Sequence, residues 1–92
     1  MLIIYTISGC HNCDRVKELL EHYDDKIIIN CDNMIRLDRD SFKITMRNKI
    51  GFECKSFPMC FRGDIFIGGY NELVYHLTFG ESWVEILNDC EF

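Results

Sequence analysis

Within the first thirty residues the hydrophobic pattern changes period twice, and this limits the fold more than any other feature. Leu2–Thr6 is short, apolar and rich in strand-forming residues, so it reads as a buried strand. Ser8-Gly9 breaks it. From about His11 to Tyr23, Val16, Leu19, Leu20 and Tyr23 fall at i, i+3, i+4 and i+7, the stripe of an amphipathic helix. Asp24-Asp25 ends that helix. Ile27-Ile28-Ile29 then predicts a second strand, and an unbroken β-branched run fits one buried on both faces in a parallel sheet. Strand, helix and strand at this spacing form a βαβ unit.

Residues 30–39 are polar and read as a loop. Asp40 or Ser41 is placed to cap a helix running to about Ile50, with Phe42, Met46 and Ile50 inward and Gly51 closing it. Met59–Arg62 and Ile65–Ile67 are short strands, and Gly63-Asp64 between them signals a hairpin. After Gly68-Gly69, Tyr70–Phe79 predicts a helix with Leu73, Val74 and Leu77 on one side. Ser82-x-x-Glu85 matches a capping box, and Trp83, Ile86, Leu87 and Cys90 repeat at helical spacing, which predicts a terminal helix over 80–92. The order is β-α-β-α-β-β-α plus a C-terminal helix. It predicts an α/β fold, a four-stranded mixed sheet flanked by helices on both faces, in one domain over 1–92 with its core in about 2–78.

The composition supports one packed domain: 48% of the 92 residues are hydrophobic, and one proline leaves no room for a long linker. The net charge is −5, with ten basic residues scattered among fifteen acids, which argues against a nucleic-acid partner. Leu2–Ile7 is too short to span a membrane and lacks the basic flank and longer apolar core of a signal peptide. The expectation is therefore a cytoplasmic, reducing location. That bears on the six cysteines, at 10, 13, 31, 54, 60 and 90. In a reducing compartment such a set points to catalysis, metal binding or plain burial rather than to a disulfide framework.

Cys10-His11-Asn12-Cys13 stands at the end of a strand and the start of a helix. The first turn of a helix offers unpaired N–H groups and the positive end of the helix dipole. A thiolate placed there is stabilised, and the thiolate is the attacking species in disulfide exchange. Cys10 at the mouth of the turn is the expected nucleophile. Cys13, one turn below, can reach the Cys10 sulfur and release a mixed disulfide. The competing reading is half of a zinc site. A second CxxC or an HxxxH pair is missing, so zinc would have to recruit distant Cys31, Cys54 or Cys60. No metal is expected. A CxxC between a strand and a helix at the front of a βαβ unit is a thioredoxin-like signature.

Three further features bear on the same site. Pro58 is the only proline and opens the third strand. A cis bond there would leave the N–H and C=O of Phe57 free to pair with an extended thiol peptide; the alternative is an edge-strand proline. Gly68-Gly69 lets the backbone approach a ligand closely, and the helix start at Tyr70 and Asn71 then makes an anion site suited to a carboxylate-bearing thiol. Tyr5 precedes the active turn and either lines the site or belongs to the core.

With these pieces in place, the chain resembles the glutaredoxins over about residues 2–78. The resemblance is carried by Tyr5-Thr6-Ile7-Ser8-Gly9-Cys10-His11-Asn12-Cys13, by Ser56-Phe57-Pro58, and by Ile67-Gly68-Gly69-Tyr70-Asn71-Glu72-Leu73, in that order. It implies a thioredoxin fold with glutathione as reductant and thiol partner. On the matching positions, Cys10 is the nucleophile and Cys13 the resolving thiol. Phe57 stands where the backbone pairs with the glutathione cysteine. Tyr70 and Asn71 stand where the family binds the γ-glutamyl carboxylate, and Lys55 is placed to meet the glycyl carboxylate. Two departures stand out. Ile7 replaces a lysine often found three residues before the first cysteine, and His11-Asn12 replaces the common Pro-Tyr.

The leading expectation is thus a monomeric glutathione-dependent enzyme that reduces protein disulfides or glutathionylated proteins. Two alternatives follow from the departures. One is a redoxin recycled by thioredoxin reductase and serving ribonucleotide reductase. The other is a binding module holding a [2Fe–2S] cluster between two subunits with glutathione as a further ligand. Cys31 and Cys60 are expected to be buried as small hydrophobes. Cys54, near Pro58, is expected to be more exposed, and it or Cys90 offers a regulatory disulfide as an alternative to a plain thiol.

Overall fold

A computed structural model of the chain describes residues 1–79. Its elements are β1 Leu2–Thr6, α1 His11–Leu19, β2 Lys26–Asn30, α2 Asp32–Leu37, α3 Arg39–Ile50, β3 Met59–Arg62, β4 Ile65–Gly68 and α4 Tyr70–Phe79. The strands form one sheet in the order β2-β1-β3-β4. β1 runs parallel to β2 and antiparallel to β3, and β3 pairs antiparallel with β4. This is the expected mixed sheet, a thioredoxin-like arrangement. The terminal helix expected over 80–92, with Cys90 on it, lies outside the described residues.

β1 is interior to the sheet, and its period-two alternation feeds two cores. Leu2 and Ile4 point to one face, where they meet Val16 and Leu20 at α1 and Leu73 of α4. Ile3 and Tyr5 point to the other, where they pack with Met46 and Phe42 of α3 and with Met59 and Phe61 of β3. Leu2, Ile4, Val16, Leu20 and Leu73 are completely buried. The helices therefore lie on both faces of the sheet, as the βαβ opening and the later hairpin require.

Four local expectations change. β2 is an edge strand, so Ile27 is 44% exposed and the isoleucine run is not buried on both faces. A run of β-branched residues records strand preference, not position in the sheet. α1 ends at Leu19; Tyr23 lies beyond the helix in the following turn, yet still packs against the core. Residues 32–37, read as a loop, form α2. That helix buries no residue fully, so it leaves no apolar stripe to read, and it starts where Asn30 Oδ1 accepts from the Asp32 N–H at 2.9 Å. α3 begins at Arg39, and its cap is Asp38, whose carboxylate accepts from Ser41 N–H at 3.0 Å. Asp40 and Ser41 thus sit inside the first turn, while Gly51 ends the helix as expected.

On α4 the inward face carries Leu73, as expected, together with His76, which is 3% exposed. Arg62 Nε donates to His76 Nε2 at 2.8 Å. Two isoleucines on paired strands test the two-core description. Ile4→Ala is expected to cost about 2–5 kcal/mol through a cavity at the sheet centre, whereas Ile27→Ala costs under ~1 kcal/mol. Urea unfolding of the two variants, followed by circular dichroism, measures the difference.

Candidate active site

The chain leaves β1 through Ser8-Gly9. Gly9 has φ +71°, a left-handed conformation that turns the backbone from the sheet into α1. Cys10 then caps the helix. Its backbone is extended, with φ −103° and ψ 113°, and its sulfur accepts from the Cys13 N–H at 3.1 Å. A sulfur here takes the place a hydroxyl or carboxylate oxygen fills at most helix starts. The same N–H and the helix dipole favour negative charge on that sulfur. Cys13 is completely buried one turn further on. The two cysteines are joined as a disulfide with Cα atoms 5.2 Å apart, so this is the oxidised state of the pair.

A second segment meets Cys10 from β3. β1 and β3 pair with Tyr5 opposite Met59, which carries Pro58 and Phe57 to the rim where β1 ends. The Phe57-Pro58 bond is cis, and the Phe57 carbonyl oxygen lies 3.6 Å from Cys10 Sγ. The Phe57 ring stacks on Phe42 of α3, with centroids 6.2 Å apart and planes 18° from parallel. The half-buried side chain is thus held against α3 while the backbone carbonyl faces the sulfur.

On the α4 side, Pro58, Gly69, Tyr70 and Asn71 line a groove of about 370 Å³ together with Phe57 and Asn12. The Gly69 N–H donates to Glu72 Oε1 at 2.8 Å. Gly68, at φ +136°, has no room for a side chain, because a Cβ would lie 2.7 Å from the Glu72 Cβ. The close approach that the two glycines permit is therefore to the chain's own Glu72. Arg15, a residue the sequence did not single out, sits over the Tyr70 ring at 4.0 Å from its centre and adds a cation to this side.

On the other side, Lys55 borders a larger cavity of about 820 Å³, with Phe57, Ile7 and Cys54 also in its wall. Lys55 is exposed and lies 3.7 Å from Glu53. Tyr5 borders neither space. It packs edge-on against Phe61, with centroids 5.6 Å apart, because the alternation of β1 turns residue 5 toward α3. Of the two readings of Tyr5, the geometry favours the core: it is half-buried and packs against the cluster of Met46, Met59 and Phe61.

Another feature lay hidden in the segment read as a loop. Asp32 receives two hydrogen bonds from Ser8, one from the hydroxyl to Oδ2 and one from the N–H to Oδ1 at 3.0 Å. Asn30 Nδ2 also donates to the Ser8 hydroxyl at 3.4 Å. These bonds hold the Asp32 carboxyl below its usual range and pin the turn that carries Cys10. Among the remaining thiols, burial pushes Cys31 up to about 11 and Cys60 up to about 12, with the Glu72 charge adding to the second. Both are completely buried, and Cys54 is half-buried; all three are free thiols. Among the described residues, no group of three or more His, Cys, Asp or Glu side chains is arranged to hold a metal.

No family model matches the chain, and no curated protein matches it in sequence. Solved structures do. Glutaredoxin 1 from Francisella tularensis, complexed with cacodylate, is 29% identical, covers 95% of this chain and 95% of its own, and superposes with a TM-score of 0.61. The glutaredoxin from Brucella melitensis is 28% identical over 87% of this chain and 80% of its own, with a TM-score of 0.59. The buckwheat glutaredoxin–glutathione complex is 24% identical, covers 97% of this chain and 77% of its own, and has a TM-score of 0.68.

The burial of Cys31 and Cys60 generates two expectations. Alkylation of the reduced native protein at pH 8 labels Cys10 first and Cys54 more slowly, and labels Cys31 and Cys60 only after denaturant; peptide mapping by mass spectrometry reads the order. The Cys60 thiol ionises near 9.0 unfolded and near 12 folded. A raised folded value means full stability below 9.0, lost as pH climbs toward 12. Cys60→Ala is expected to flatten the fall in unfolding free energy across that window by up to about 1.4 kcal/mol per pH unit.

Proposed function

We infer that this chain, glutaredoxin-like in fold and in its CxxC pair, is a thiol–disulfide oxidoreductase that draws its electrons from glutathione. The observation that carries the reading is the Cys10 sulfur at the N-cap of α1, bonded to Cys13 and beside the Phe57 carbonyl. Thiolate chemistry needs a stabilised anion, a second thiol within reach and a place for an extended partner, and these residues can supply all three.

In the forward direction the Cys10 thiolate attacks one sulfur of a substrate disulfide. A Cys10–substrate bond forms, and the other substrate sulfur leaves as a thiolate. Cys13, as a thiolate, then attacks Cys10 Sγ. The Cys10–Cys13 disulfide forms and the second substrate sulfur is released, so two electrons have passed to the substrate. Two glutathione thiols return the pair to the dithiol and leave as oxidised glutathione. The buckwheat neighbour is a glutathione complex, which supports the same partner here. In this reading the backbone of Phe57, before cis Pro58, pairs with the thiol-bearing residue of the partner. Gly69, Tyr70 and Asn71 hold its γ-glutamyl end, and Lys55 meets its glycyl end. The substrates are protein disulfides or glutathionylated proteins, and the protein acts as a monomer. No helix among the described residues is long and apolar enough to cross a membrane, and the free thiols Cys31, Cys54 and Cys60 suit a reducing compartment such as the cytoplasm.

The test is a glutathione-coupled mixed-disulfide assay. Cys10→Ser is expected to lose activity by on the order of 10³-fold or more, as removal of a nucleophile does. Cys13→Ser is expected to keep turnover on a glutathionylated substrate but to trap a covalent intermediate with a protein disulfide, seen on a non-reducing gel. Full activity of Cys10→Ser would sink the reading. Running the same assay with thioredoxin reductase in place of glutathione and its reductase decides the electron source.

A further inference from the structure

The cavity on the α2–α3 side is larger than the reading above uses. Its floor is apolar, built from Ile35, Phe42, Met46 and Met59, and at one end it reaches Phe57, whose carbonyl meets the Cys10 sulfur. Its volume of about 820 Å³ falls in the range of cavities that bury a sizeable ligand. Arg36, Arg39 and Lys43 line it from the two helices, and Lys55 lines it from the loop. Two acids also border it. Asp32 is engaged by Ser8, and Glu53 lies beside Lys55. Arg36, Arg39 and Lys43 face no carboxylate within ion-pair distance among the described residues. Of the acids nearest to them in sequence, Asp38 lines a neighbouring hollow, and Asp40 shares another with Lys43 and Glu53 without coming within ion-pair distance of Lys43. A chain of net charge −5 thus gathers cations around one apolar trough that leads to its dithiol.

We propose that this trough docks an acidic and apolar polypeptide segment flanking the disulfide of a protein substrate. The proposal rests on the redox reading of Cys10 and extends it to the class of substrate. Charge complementarity names the occupant. Acidic side chains of the segment pair with Arg36, Arg39 and Lys43, and apolar ones cover the floor that those cations surround. Continuity with Phe57 sets the direction, because a segment seated in the trough presents its disulfide at Cys10. Opposite charge at the rim speeds encounter and discriminates against basic partners, an effect that salt screens.

The experiment follows single-turnover reduction by chemically reduced protein. Three substrates are compared: a peptide disulfide flanked by Glu and Leu, the same disulfide flanked by Lys and Leu, and uncharged hydroxyethyl disulfide. The acidic peptide is expected to react at least about tenfold faster than the basic one at low salt, with the gap closing as salt rises. The double variant Arg39→Glu/Lys43→Glu is expected to erase or invert the preference and to leave hydroxyethyl disulfide within about twofold of its original rate. Arg47→Glu/Lys49→Glu, equal in net charge but outside the trough, keeps the preference. If charge reversal impairs folding, Arg39→Ala/Lys43→Ala is read in the same way.

Equal rates for the two peptides, or a preference that survives both trough variants, overturn the proposal. So does a result in which those variants raise the KM for glutathione but leave the peptide preference intact, since the trough would then belong to the glutathione site. Concentration-dependent dimerisation that the variants abolish would assign the trough to a second copy and overturn it too. Failure of the unaltered protein to reduce hydroxyethyl disulfide would instead bring down the redox reading, and the proposal with it.

Discussion

Burial of β1 on both faces is the constraint on which the rest of this molecule depends. Leu2 and Ile4 are locked against α1 and α4, and Ile3 and Tyr5 against α3. A slip of one residue would exchange the two sets and spoil both cores, so the register is tightly specified. That register has chemical consequences at the end of the strand. It sets where Gly9 turns, and therefore where α1 begins and where the Cys10 sulfur stands. It also pairs Tyr5 with Met59, which delivers the Phe57-Pro58 bond to the same rim. The sulfur and the backbone that faces it lie 47 residues apart in sequence, yet their spacing is fixed by a ladder of hydrogen bonds rather than by a loop.

The chemistry at that rim relies on backbone more than on charged side chains. Ile7 stands where a lysine is often found in the resembling family, and here it lines the wall of an apolar cavity. Stabilisation of an anionic sulfur is left to the Cys13 N–H at 3.1 Å and to the end of the helix. Such a donor costs no side-chain ordering, but it works only if the turn is held still. The Ser8–Asp32 bonds contribute to that, tying the turn to the start of α2. Asp32 is solvent-exposed enough that its contribution is one of geometry and not of large energy.

The elements that could be read from the sequence are those whose burial is periodic. β1, α1, the Gly63-Asp64 hairpin and α4 each carry a stripe or an alternation, and the cysteine pair falls at a boundary between two periods. The elements that escaped carry none. α2 has no fully buried residue, so nothing in 32–37 repeats at helical spacing. The edge position of β2 depends on which strand pairs with β1 on its other side, a long-range choice that Ile27-Ile28-Ile29 does not encode. The α3 cap was misplaced by two residues or more because Asp38, Asp40 and Ser41 are all good capping residues. At the site, Cys10 and Cys13 were legible from the boundary between strand and helix, while Phe57 and Tyr70 were singled out by the cis-proline and double-glycine signals together with the resemblance. Glu72 folding back onto Gly69, Arg15 over Tyr70 and the Ser8–Asp32 tether did not, because each depends on a rotamer or on a contact between separate elements.

The two flanks of the dithiol are electrostatically unlike, and this bears on how a substrate lies across it. On the α4 side the Gly69 N–H is already taken by the Glu72 carboxylate, so a second carboxylate arriving there shares the helix end with a like charge. Arg15 offsets part of that repulsion from its seat over Tyr70. On the α2–α3 side Arg36, Arg39, Lys43 and Lys55 outnumber the two acids of the same wall, Asp32 and Glu53. Exposed charges interact over roughly 8 Å at physiological salt, so these local groupings count for more than the overall charge of −5. Under the proposed reading an anionic polypeptide is drawn toward α2 and α3, while the α4 groove, smaller in volume and partly capped by Glu72, suits a small ligand at the start of α4. In the same reading glutathione would lie across Phe57 from the α4 groove to Lys55, and a polypeptide substrate would reach the same sulfur along the α2–α3 trough.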